Sequence, residues 1–148
     1  MAKLIKDDLS IKNKIVSFDV KVRDGITIIG GDSATGKSLY FKEMQLHSQR
    51  YKDDSYVYIN YTNGKEFYRL LDDNVNDKIV FVDNADIVVS EDIDTYRKIR
   101  NIQDQFVFFG RDITRYDKNY DNWAEFVERK SGVFKLSYVF RKAGQVWQ

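Results

Sequence analysis

The sequence predicts an α/β fold: a three-layer sandwich on a mainly parallel five-stranded sheet (order 5-1-4-3-2), with antiparallel strand structure added at the N-terminus. Three observations point there. Short β-branched or apolar runs at Ile26–Gly30, Tyr56–Tyr61, Ile79–Asp83 and Gln105–Phe109 alternate with longer segments of mixed polarity. Two of these runs, Ile79–Val82 and Phe106–Phe109, are apolar throughout, as strands covered on both faces are. Glycine and Asn/Asp turns punctuate the runs, and proline is absent. At 148 residues the chain reads as one domain, 1–148, large enough for a single core.

The elements follow in order. Leu9–Ile11 reads as a short first strand. Ile15–Arg23 alternates, with Phe18, Val20 and Val22 on one side and Ser17, Asp19, Lys21 and Arg23 on the other, which is the pattern of a half-buried strand. Asp24-Gly25 supplies a tight turn into the strand Ile26–Gly30. Ser38–Arg50 reads as a helix, Tyr56–Tyr61 as the second core strand, Lys65–Leu71 as a short helix and Ile79–Asp83 as the most apolar strand. Glu91–Ile102 predicts a helix with Ile93, Tyr96, Ile99 and Ile102 inward, and Gln105–Phe109 a fourth strand. Trp123, Phe126 and Val127 fall at helical spacing, so Asp117–Lys130 reads as a helix, broken by Ser131-Gly132 before a last strand, Val133–Phe140.

Composition narrows the function classes. Twenty-four basic residues against 23 acidic ones give a net charge of +1, so no global field favours nucleic acid or a membrane surface. No run approaches the ~18 apolar residues of a membrane span, and the N-terminus lacks a signal-peptide core. The chain is expected to be cytoplasmic. With no cysteine, disulfides, thiolate catalysis and zinc–thiolate sites are excluded. Abundant Asn, Lys, Ile, Asp and Tyr beside scarce Ala suggest an AT-rich coding sequence, such as that of a low-GC bacterium or its mobile elements.

The chemistry concentrates in Gly31-Asp32-Ser33-Ala34-Thr35-Gly36-Lys37-Ser38, which satisfies G-x-x-x-x-G-K-[ST]. Glycines let successive backbone N–H groups converge on a phosphate. Lys37 can reach the β- and γ-phosphates, the Ser38 hydroxyl can hold Mg²⁺, and Leu39 continues the binding segment. The apolar strand before the loop and the helix after it are the context that this motif requires. A second motif follows: Ile79-Val80-Phe81-Val82 ends in Asp83, placing a carboxylate at a strand terminus where it can hold the same metal. The lone histidine, His47, has no second ligand spaced with it and reads as a surface residue. Tyr56, Tyr58 and Tyr61 offer stacking surfaces for a base but read first as sheet-face residues.

These two motifs, Walker A at Gly31–Ser38 and Walker B at Ile79–Asp83, resemble the P-loop NTPase superfamily, in the branch that includes ABC-type and AAA+ ATPases. Ile15–Ser38 is similar to the start of an ABC-type domain, and Val82–Asp86 to AAA+ or STAND ATPases. The resemblance implies a sheet order of 133–140, 26–30, 105–109, 79–83, 56–61, with ATP or another nucleoside triphosphate and Mg²⁺ as ligands. The catalytic set it implies is Lys37, Asn84, Asp86 and Arg111, with Ser38 and Asp83 on the metal.

Several departures qualify that expectation. Members of the branch commonly carry Glu after the Walker B Asp; here stands Asn84, whose carboxamide orients water but does not accept its proton. Asp86 is a substitute carboxylate two residues on, and Arg111 stands where a switch residue follows the fourth strand. The ABC signature Leu-Ser-Gly-Gly-Gln, an AAA+ helical lid and a GTP-specifying Asn-Lys-x-Asp are missing. The expectation is an ATP–Mg²⁺-binding accessory or regulatory protein with weak or partner-dependent hydrolysis, a protein partner or second copy supplying missing elements. The alternatives are a small-molecule or nucleoside kinase, and an inhibitory or interaction module with incidental nucleotide binding.

Overall fold

The structure, a computed structural model, describes residues 3–31, 35–90, 92–110 and 121–138. In chain order the elements are β1 (Ile11–Lys12), β2 (Ser17–Asp19), β3 (Thr27–Gly30), α1 (Lys37–Arg50), β4 (Tyr56–Ile59), α2 (Gly64–Asp72), β5 (Ile79–Val82), α3 (Ala85–Val88), α4 (Ile93–Asn101), β6 (Gln105–Phe109), β7 (Asn122–Lys130) and β8 (Val133–Tyr138).

All eight strands join one mixed sheet, in the order β1-β2-β8-β7-β3-β6-β5-β4. Along β7-β3-β6-β5-β4 every pairing is parallel. Beyond it, β7 and β8 form an antiparallel hairpin, β8 runs parallel to β2, and β2 antiparallel to β1.

This overturns the expected fold class. The sheet is not a five-stranded, mainly parallel P-loop sandwich but a curled eight-stranded one, antiparallel in part. The decisive difference is the segment 122–130, expected to be helical. Trp123, Phe126 and Val127 fit a helix face, but Ala124 and Phe126 alternate with Trp123 and Glu125 between the two faces of a strand. Two neighbours settle the matter. Asn122–Glu125 pair with β3, and Ala124–Lys130 pair with β8 through the turn at Gly132, whose φ of 77° suits glycine. Tertiary pairing outweighs local periodicity. The place beside β3 that was expected for 133–140 therefore belongs to β7, and β8 lies one strand further out.

Each face of the sheet carries its own core. Tyr40, Phe41 and Met44 of α1 pack with Phe18, Ile29, Phe81, Phe109, Phe126 and Phe134 on one side. On the other, Phe67, Leu70 and Leu71 of α2 and Tyr96 and Ile99 of α4 cover Ile28, Val80, Val82, Phe106 and Phe108. Successive side chains of β5 and of Phe106–Phe109 in β6 thus enter opposite cores, which is why these stretches are apolar throughout. Ile93, expected inward, is 66% exposed at the start of α4. The strand expected at 15–23 is regular only over Ser17–Asp19, although Val20 and Val22 remain buried.

The end of the sheet opposite Gly30 is tied down by polar contacts. Gln105 accepts from Ile5 and Lys6 N–H at 2.7 and 2.8 Å and donates to Lys6 O at 2.9 Å. Asp121 accepts from Ile26 N–H at 2.7 Å and pairs with Arg100 at 2.5 Å, anchoring the start of β3 to α4.

Candidate functional site

The carboxyl ends of β7, β3, β6 and β5 share one edge, because these strands are parallel. At that edge β3 passes into Gly31 and the chain returns through Thr35 and Gly36 into α1. Gly31 and Gly36 have φ of 111° and 95°, backbone states that cost a residue with a Cβ about 1–2 kcal/mol. Space is short as well. A Cβ on Gly36 would stand 2.9 Å from the Phe134 ring, and one on Gly31 would stand 3.2 Å from Glu125 Oε1 and 3.3 Å from Thr35 Oγ1.

Lys37 opens α1 and is 7% exposed, an unusual burial for lysine. Its ammonium donates to the Gly31 carbonyl, so both ends of the loop meet at one cation. Ser38 and Leu39 follow on the exposed side of the first helical turn.

Across β6, the chain leaves β5 at Asp83. Burial raises the Asp83 pKa; a hydrogen bond from Asn84 N–H and the charge of Lys37 pull it back, while Asp86 pushes it up. Lys37 and Asp83 are thus within electrostatic reach of one another. Asn84 adopts the left-handed conformation (φ 50°, ψ 47°), and its carbonyl accepts from Ile87 and Val88 at 2.8 and 3.0 Å, turning the strand into α3. Asparagine tolerates that conformation better than glutamate does, so position 84 has a backbone reason for its residue. Asp86 lies against the end of β6: a Cβ on Gly110 would stand 3.3 Å from its Oδ1.

No protein-family model matches the chain, and no curated protein matches it. Among solved structures, it is similar to the N-terminal domain of zonular occludens toxin from Neisseria meningitidis, at a TM-score of 0.46 and 13% identity, over 76% of this chain and 82% of that one. The likeness is distant, and the reading of the site rests on the chain's own residues.

Of the residues singled out from the sequence, Gly31, Thr35, Gly36, Lys37 and Ser38 gather at the end of β3, with Asp83, Asn84 and Asp86 on the neighbouring flank. Asp32, Ser33, Ala34 and Arg111 lie outside the described residues. His47 is exposed, with its ring 4.6 Å from Tyr51, and no group of three or more His, Asp or Glu among the described residues has the arrangement of a metal site. Tyr56 and Tyr58 stack on each other at 6.0 Å and pack towards α1, with the Tyr58 hydroxyl donating to Met44 O, so they serve the core.

The site is chemically suited to a phosphate chain with its divalent cation: a glycine-walled turn, a buried ammonium, a hydroxyl at a helix start and a nearby carboxylate. Sequence reading missed one residue at this edge, Glu125. It lies opposite Gly30 in the β3–β7 register. The sequence Asn-Trp-Ala-Glu-Phe-Val at 122–127 does not alternate in polarity; only the burial of the folded strand does, and the one local signal was the Ser131-Gly132 turn that follows.

Proposed function

We propose that the chain is a P-loop nucleotide-binding protein that takes ATP with Mg²⁺ at Gly31–Leu39. One observation carries the reading: Lys37, a buried residue, folds its ammonium onto Gly31 between two positive-φ glycines, within the field of Asp83. On this reading the loop N–H groups and Lys37 hold the phosphates, and Ser38 and Asp83 hold the metal. Bound Mg²⁺ would neutralise phosphate charge.

Turnover is slow on its own, and a protein partner or a second copy accelerates it by adding a cationic group. Nucleotide then acts as a ligand that stabilises one surface of the protein for a partner, which is the accessory role proposed here.

The test is nucleotide binding by the whole chain. Mg–ATP at 100 times its dissociation constant should stabilise the protein by about 2.7 kcal/mol, read as a rise in melting temperature. Lys37→Met should lose that rise. No rise with any nucleoside triphosphate would overturn the proposal.

A further inference from the structure

Asn84 leaves the proposed site without the carboxylate that usually polarises water, and the fold brings in another one. Glu125 sits on β7, the strand flanking β3 on the side away from Asp83. It is paired with Gly30 on one side and Ser137 on the other, so two ladders fix its position. Its Oε1 lies 3.2 Å from where a Cβ on Gly31 would be. The Gly31 carbonyl receives the Lys37 ammonium. Carboxylate and ammonium therefore converge on one loop residue, Gly31, with the Thr35 side chain beside the same position.

The alternative carboxylate, Asp86, stands on the other side of β3. It lies against Gly110 at the end of β6. Its negative charge also acts on Asp83, the carboxylate assigned to the metal.

We propose that Glu125 is the general base for hydrolysis at this site, an inference that rests on the phosphate-site reading above. A water oxygen attacks the γ-phosphorus and its proton passes to the Glu125 carboxylate. The bond between the γ-phosphorus and the bridging oxygen breaks, and its electron pair leaves with ADP. Inorganic phosphate is the second product, and Glu125 returns the proton to solvent. A base of this kind contributes about 100-fold or more to the rate. Because its negative charge stands near the phosphates, removing it should not weaken ground-state binding.

The experiment measures three quantities on the whole chain: Mg–ATP affinity by titration, phosphate release, and melting temperature. Glu125→Gln keeps the shape and removes the basicity. The expected result is wild-type or tighter affinity, an unchanged melting temperature and phosphate release slowed about 100-fold. Glu125→Asp should fall between the two. Should Glu125→Gln fail to fold, Glu125→Asp decides, with slower release at unchanged affinity as the supporting result. Wild-type turnover in Glu125→Gln, or affinity lost together with turnover, overturns the proposal. Wild-type protein that binds Mg–ATP but releases no phosphate overturns it as well and leaves the phosphate-site reading standing. Wild-type protein that binds no nucleotide removes both.

Discussion

The Phe134 ring closes against the backbone of Gly36, so that the β7–β8 hairpin supports the turn into α1: a Cβ on Gly36 would stand 2.9 Å from the ring. Phe134 is itself stacked on Phe18 at 4.8 Å, so it has little freedom to retreat. Gly36→Ala therefore meets two costs, the clash and the φ of 95°. The expected loss is about 2–4 kcal/mol, combining left-handed strain with overpacking. Urea denaturation measures it. Adding Phe134→Leu should recover part of the loss, since the smaller side chain relieves the clash and leaves the backbone strain.

Asn84 is explained by the same kind of argument. Its φ of 50° turns the end of β5 into α3. Asn84→Gly is expected to be stable within a few tenths of a kcal/mol, whereas Asn84→Val should cost about 1–2 kcal/mol. Equal melting temperatures for the two variants would remove the conformational account of this position.

Asp104 gives the fold a pH dependence. It is fully buried; Oδ1 accepts from Lys78 N–H at 2.8 Å, while Oδ2 has no hydrogen-bond partner. Burial pushes its pKa up to about 6, opposed by the Lys78 hydrogen bond and reinforced by Asp77. The folded pKa lies above the ordinary unfolded value of about 3.9, so the folded state binds the extra proton between them. Stability therefore falls as pH rises from about 4 to about 6, by about 2 kcal/mol from this group. Asp83, also raised by burial, contributes with the same sign. Asp8, lowered to about 2 by its Ser10 hydrogen bonds, acts with the opposite sign and at lower pH. Melting temperatures measured across this range should decline, and Asp104→Asn should flatten the decline.

Phe81 tests the packing of the α1 face. It is fully buried between Tyr40, Tyr58 and Phe109, with ring centroids at 6.0, 5.4 and 5.5 Å. Phe81→Ala should cost about 3–5 kcal/mol through lost burial and a residual cavity. Chemical denaturation reads it directly.

Legibility in the sequence followed physical locality. Ile28–Ile29, Ile79–Val82 and Phe106–Phe109 announce themselves because side chains entering opposite cores are apolar at every position. The turn Gly31–Ser38 is legible because its backbone demands glycine at set positions. Residues 122–130 were not legible as a strand, because Trp123, Phe126 and Val127 fall at helical spacing and break a strand's alternation, and only pairing with β3 and β8 overrides that local pattern. That one segment cost both the sheet order and Glu125, whose place beside Gly31 is a consequence of register. The reason for Asn84 was hidden for a similar cause: its identity reads as a catalytic departure until the left-handed turn is visible.

The central claim is that Lys37 and the glycine turn around it bind a nucleoside triphosphate with its metal. Titration of the purified whole chain with Mg–ATP, alongside Lys37→Met of matched melting temperature, tests it most directly. Saturable binding by the wild type that is lost in the variant is the predicted result. A wild-type chain that binds no nucleoside triphosphate, or a variant that binds as well as the wild type, would contradict it.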